Sequence, residues 1–159
     1  MIQFVASGVS SLFGLDSDHS EEIEASDYGG IRYYKNYDSR GLGDDVICKA
    51  MISSIMVQAY PRIKSERIDL DVYLVSYLRR DDNSEWFYRC KVEGNRVVWA
   101  SNTTNQGRWR THDQDSQIFF KVDDNHLVIQ EKFPATNELM NTVFERGEEP
   151  DDLIKVDRG

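Results

Sequence analysis

Residues 70–101, LDVYLVSYLRRDDNSEWFYRCKVEGNRVVWAS, alternate in side-chain character over three consecutive runs. A period of two is the signature of extended strands. In the first run, 70–80, Leu70, Val72, Leu74, Ser76 and Leu78 share one face. Asp71, Tyr73, Val75, Tyr77 and Arg79 share the other. Turn formers over 80–84 interrupt the pattern. The second run, 85–92, sets Trp86, Tyr88, Cys90 and Val92 on one side and Glu85, Phe87, Arg89 and Lys91 on the other. Gly94-Asn95 then predicts a two-residue hairpin, with glycine at the first central position of a type II′ turn. Counting outward from that turn pairs Val92 with Val97 and Cys90 with Trp99 on one apolar face.

The remaining elements attach to this sheet. A helix is predicted over 44–60, because Ile47, Cys48, Met51, Ile52, Ile55 and Ala59 recur at steps of three and four. Asp44 or Asp45 is expected to cap it, and Pro61 to stop it. One helix with one apolar stripe needs a sheet to cover. Alternation resumes over 116–122 and 126–133, and 139–145 reads as a last strand, with a helix as the alternative. The expected fold is α+β: one principal helix on an antiparallel meander of about five strands.

The net charge of −9 is distributed unevenly. Residues 1–30 hold six acids and no Lys or Arg, 145–159 hold six acids and three bases, and 31–144 are neutral. The expected organisation is an acidic N-terminal segment (1–30), a single α+β domain (31–146) and an acidic tail (147–159). Within the first segment, Ile2, Val5, Val9 and Leu12 suit a short amphipathic helix over 1–15, and 16–30 have linker composition. IRYYKNY, 31–37, is either a short edge strand or part of the linker. No run is long and apolar enough to span a membrane, and no basic stretch precedes an apolar core as in a signal peptide. That composition suits the cytoplasm.

The series ICKAMI, VYLVSYLRRDD, WFYRCKVEGNRVVWA and GRWRT, followed by a final pair of strands, resembles a group of small bacterial proteins of unknown function. The resemblance covers about 46–144, including both cysteines, and the acidic ends depart from it. It implies the same fold and, because many members look exported, an extracytoplasmic location. It carries no activity, cofactor or site.

Few residues suggest chemistry. Cys48 lies on the helix stripe and Cys90 on the Trp99 face of the sheet, so both point toward one interface. They form either a disulfide or two buried thiols, and the compartment decides which. Two isolated cysteines and no histidine at ligand spacing do not make a metal set, and no cofactor motif is present. His112 adjoins Asp113, but no serine or cysteine stands in a nucleophile turn, so no catalytic residue is assigned. Arg108-Trp109-Arg110 is the most suggestive short motif. Its guanidiniums can pair with carboxylate or phosphate while the indole stacks, with Arg79, Arg80 and Arg96 as further cations. Alternatively, Trp109 covers the end of the core while its neighbours pair with Asp113 or Asp115. Two functions follow. The first is a non-catalytic protein-binding module of inhibitor or immunity-like kind with a protein partner. The second is a nucleic-acid- or anion-binding protein using Arg108, Trp109 and Arg110.

Overall fold

A computed structural model describes residues 26–28, 30–102 and 107–158. The helix expected over 1–15, and the acidic linker up to residue 25, lie outside the described residues. No helix among the described residues is long and apolar enough to cross a membrane.

The elements in chain order are β1 (Ser26–Tyr28), β2 (Ile31–Tyr33), α1 (Asp44–Ile55), a 3-10 turn (Tyr60–Arg62), β3 (Lys64–Arg67), β4 (Tyr73–Leu78), β5 (Glu85–Glu93), β6 (Arg96–Ser101), β7 (Gln117–Val122), β8 (His126–Phe133), β9 (Glu138–Arg146) and β10 (Leu153–Arg158). Strands β3 to β10 form one eight-stranded sheet in sequence order, with every neighbouring pair antiparallel. The fold is therefore α+β and a meander, but with eight strands where about five were expected. The two outermost strands account for much of the excess. KSER in β3 is short and charged, and LIKVDR in β10 sits in the segment read as an acidic tail. Edge strands bury little, so they need no apolar alternation and leave no periodic signal. Strands β1 and β2 pair only with each other, so 31–33 belong to a separate hairpin.

In the central hairpin, Val92 pairs with Val97 and Cys90 with Trp99. Gly94 has φ 61 while Asn95 is not among the positive-φ residues, as a type II′ turn requires. The first strand is shorter than its alternation suggests. Residues 70–72 fall outside β4, and Leu70 is 80% exposed. Tyr73, Val75 and Tyr77 face the helix, so the tyrosine side of that run is the inner one.

The helix buries Ile47, Cys48, Met51 and Ile52 completely against Val75, Tyr88, Cys90, Val97, Phe120, Leu127, Ile129 and Phe144. Its N-cap is Gly43, and Asp44 and Asp45 fall in the first turn, one position later than a cap; no side chain caps it. The helix ends at Ile55, before Pro61 could stop it, because Val57 takes φ 53 and the Gln58 N–H bonds Ser53 O at 3.1 Å. This is a Schellman-type closure with valine where glycine is usual.

Eight strands span about 33 Å and a twelve-residue helix about 18 Å, so a flat sheet would outrun its cover. The sheet curls instead and brings both edges toward the C-terminal end of the helix. Tyr60, just before β3, sets its ring 6.1 Å from Phe144 in β9 and donates its hydroxyl to Asp151 O at 3.0 Å. Lys155 of β10 donates to Ser53 O and Gln58 O, at 2.9 and 3.0 Å. Cys48 and Cys90 are joined as a disulfide, Cα to Cα 5.9 Å, which pins helix to sheet at the centre of this arrangement.

Candidate functional site

The curl leaves the inner face of β4 and β5 uncovered beyond the end of the helix. A groove of about 660 Å³ opens there, between Met56–Ala59 on one wall and the β4–β5 turn on the other. Its lining includes Val57, Arg62, Tyr77, Arg79, Arg80 and Trp86. Strand alternation sets Tyr77 and Trp86 opposite each other on the inner face.

The rings form a row. Tyr77 and Tyr88 stack at 6.0 Å, and Tyr88 meets Trp99 edge-on at 5.7 Å. Arginine caps both flanks: Arg79 lies over Trp86 at 5.1 Å, and Arg110 over Trp99 at 5.2 Å. Burial raises the Tyr88 phenol well above the usual tyrosine range, and its contact with the Tyr77 hydroxyl at 3.3 Å adds to the shift. The Tyr88 phenol is thus a neutral part of the groove floor. Trp99 Nε1 is shielded from solvent and has no hydrogen-bond acceptor among the described residues.

The electrostatics of the rim are lopsided. Arg62 reaches Leu78 O at 3.2 Å, and Arg79 stands 3.7 Å from Asp81, whose side chain is well exposed. Arg80 is exposed and has no ion-pair partner among the described residues. A helix C-terminus carries partial negative charge, which would ordinarily repel an anion. Here the Lys155 ammonium donates to Ser53 O in the last turn and to Gln58 O just beyond it, and offsets that charge.

Val57 forms the apolar lip. It is β-branched, has φ 53 and is 66% exposed. Such a residue in the left-handed region stores on the order of 1–3 kcal/mol of strain that surrounding structure must hold.

The motif singled out from sequence is largely engaged internally. After β6 the chain doubles back, with the Gly107 N–H on Ser101 O and the Arg110 N–H on Trp99 O, each at 2.8 Å. Arg108 holds Asp115 with both terminal nitrogens, at 2.7 and 2.8 Å, and Arg110 stands 3.6 Å from the same carboxylate. Asp115 is only 8% exposed at its side chain, and the Arg108 pairing pulls its pKa far below the usual carboxylate range. Trp109 lies between Arg89 and Lys91, each 4.8 Å from its ring, on the opposite face of the sheet from Arg110. The three residues therefore do not form one patch. Arg110 joins the aromatic row, Arg79 and Arg80 join the groove, and Arg96 stands at the far end of β6.

His112 and Asp113 pair at 2.9 Å on open surface, 67% and 83% exposed. Sequence reasoning missed Val57 and Arg62. Neither sits in a motif, and each becomes a groove residue only through the helix end and the turn that follows it. Comparison of the chain with family models, with curated proteins and with solved structures finds no match. The class is thus set by architecture alone: an α+β domain in which one helix lies in a curled antiparallel meander. Any closer identity rests on the site.

Proposed function

We propose that this chain is a non-catalytic protein-binding module, of the kind an inhibitor or immunity-like protein uses, and that the groove at the end of the helix is its contact surface. The observation that carries this reading is Val57. An exposed valine held in a left-handed backbone contributes little to the core and strains the fold. A residue that costs stability and buries little within its own chain suits a use outside it. Mixed lining by aromatic rings, arginines and a few aliphatic groups suits protein contact, where Trp, Tyr and Arg dominate the binding energy. Both cysteines are consumed in the disulfide, and the His112–Asp113 pair lies on open surface.

The test compares baits. Wild type, Val57→Asn and Arg80→Glu would be immobilised and exposed to lysate of the source cells. A protein retained by wild type and lost from both variants, with both variants folded by thermal melt, is the expected result. Identical retention by all three would remove the groove as the contact surface.

A further inference from the structure

We infer, resting on the protein-binding reading above, that the groove receives an acidic loop of the partner, one that presents carboxylates beside an aliphatic side chain. Three guanidiniums, of Arg62, Arg79 and Arg80, line it against the single carboxylate of Asp81. Arg62 donates to Leu78 O, next to Arg79, so guanidiniums cluster at this end of β4, and guanidiniums bind carboxylates in planar, two-toothed fashion. Arg79 is already held in place by the Trp86 ring, which lowers the entropy lost on binding. Lys155, on Ser53 O and Gln58 O, offsets the negative end of the helix. Beside these cations lie Met56, Val57 and Ala59, an apolar strip that a purely ionic ligand would leave wet.

The surroundings argue for a short acidic segment over a polyphosphate chain. The protein carries −9 overall, and Asp81, Asp82 and Glu85 stand on the turn beside the groove. A nucleic acid needs a track of cations several phosphates long, and gains most of its affinity from releasing counterions along it. Here three guanidiniums are grouped in one groove, too few for a phosphate track, with Asp81, Asp82 and Glu85 around them. That arrangement repels an extended polyanion and admits one or two carboxylates presented on a folded partner.

The experiment uses the full chain and three labelled probes of equal length: a peptide repeating Glu-Leu-Asp-Gly, its uncharged counterpart repeating Gln-Leu-Asn-Gly, and oligothymidylate. Anisotropy gives affinity, and NMR of backbone and indole N–H groups locates the contact. The acidic peptide is expected to bind, to shift the signals of Val57, Arg80 and Trp86, and to weaken several-fold between about 50 and about 300 mM salt. Arg79→Gln with Arg80→Gln should weaken it about tenfold while leaving the melting temperature unchanged. Equal binding of the uncharged peptide, tighter binding of oligothymidylate, or shifts confined to other surfaces would overturn the inference. If the acidic peptide fails to bind wild type while Val57→Asn still abolishes partner capture, the binding surface stands and the acidic loop falls. Unchanged capture by Val57→Asn would instead bring down the surface itself.

Discussion

The two ends of β5 are settled in opposite ways. At the Glu93 end, the turn is clamped by the chain itself. Asn95 is buried, its side-chain amide donates to Arg32 O at 2.8 Å, and its carbonyl oxygen accepts the Tyr34 N–H at 2.7 Å. Its backbone N–H bonds Tyr34 O, and its carbonyl takes the Phe120 N–H. Gly94 sits so close to Tyr34 O that an added Cβ would lie 1.8 Å from it. At the Glu85 end, Arg80 stands without an ion-pair partner among the described residues, an indole edge faces a groove, and across it a valine is held at φ 53. Where every group is paired within the chain, folding accounts for the residues. Where cations, an apolar side chain and a strained backbone are left open together, folding does not account for them, and the proposed binding would.

The comparison breaks first at the clamped half. Replacing Cys48 and Cys90 together by alanine should cost about 4 kcal/mol, the loop-closure entropy of a bond spanning 42 residues. Denaturant unfolding reads this, and a loss below about 1 kcal/mol would mean that the helix is held by packing alone. Gly94→Ala should follow at about 2–4 kcal/mol, because it adds both a collision with Tyr34 O and a side chain at positive φ. At the open half, Arg80→Gln should move stability by less than about 0.5 kcal/mol, as exposed charges do. A Gly94-sized loss at Arg80 would erase the distinction between the two ends.

The phenols give a test by pH. Burial raises the Tyr60 and Tyr88 pKa values above their unfolded value near 10. The stability they contribute is therefore complete below about pH 10 and is lost as pH rises beyond it. Absorbance near 295 nm should show exposed tyrosines ionising first and these two only with unfolding. Asp115 has the opposite sign: its depressed pKa stabilises above about pH 4 and is lost in stronger acid, loosening the 107–115 segment before the core.

Much of the interior was legible in the sequence, because burial imposes period. The alternation of 85–92 and the glycine of the turn specify the register of the central hairpin, and the apolar stripe specifies which side of the helix faces it. What escaped is what burial does not enforce. Strands β3 and β10 lie at edges, where a charged KSER can pair as well as an apolar run. The helix end escaped because valine gives no sign of a left-handed backbone. The groove draws on the helix end, the 3-10 turn, β4 and β5, so no single stretch of sequence announces it.

The central claim, that the open end is shaped for a partner at the expense of the fold, is tested most directly at Val57. Asparagine tolerates the left-handed region far better than valine. Val57→Asn is thus predicted to stabilise by about 1 kcal/mol, a rise of roughly 2–4 °C in melting temperature, while partner capture is lost. A lower melting temperature, with capture intact, would contradict the account.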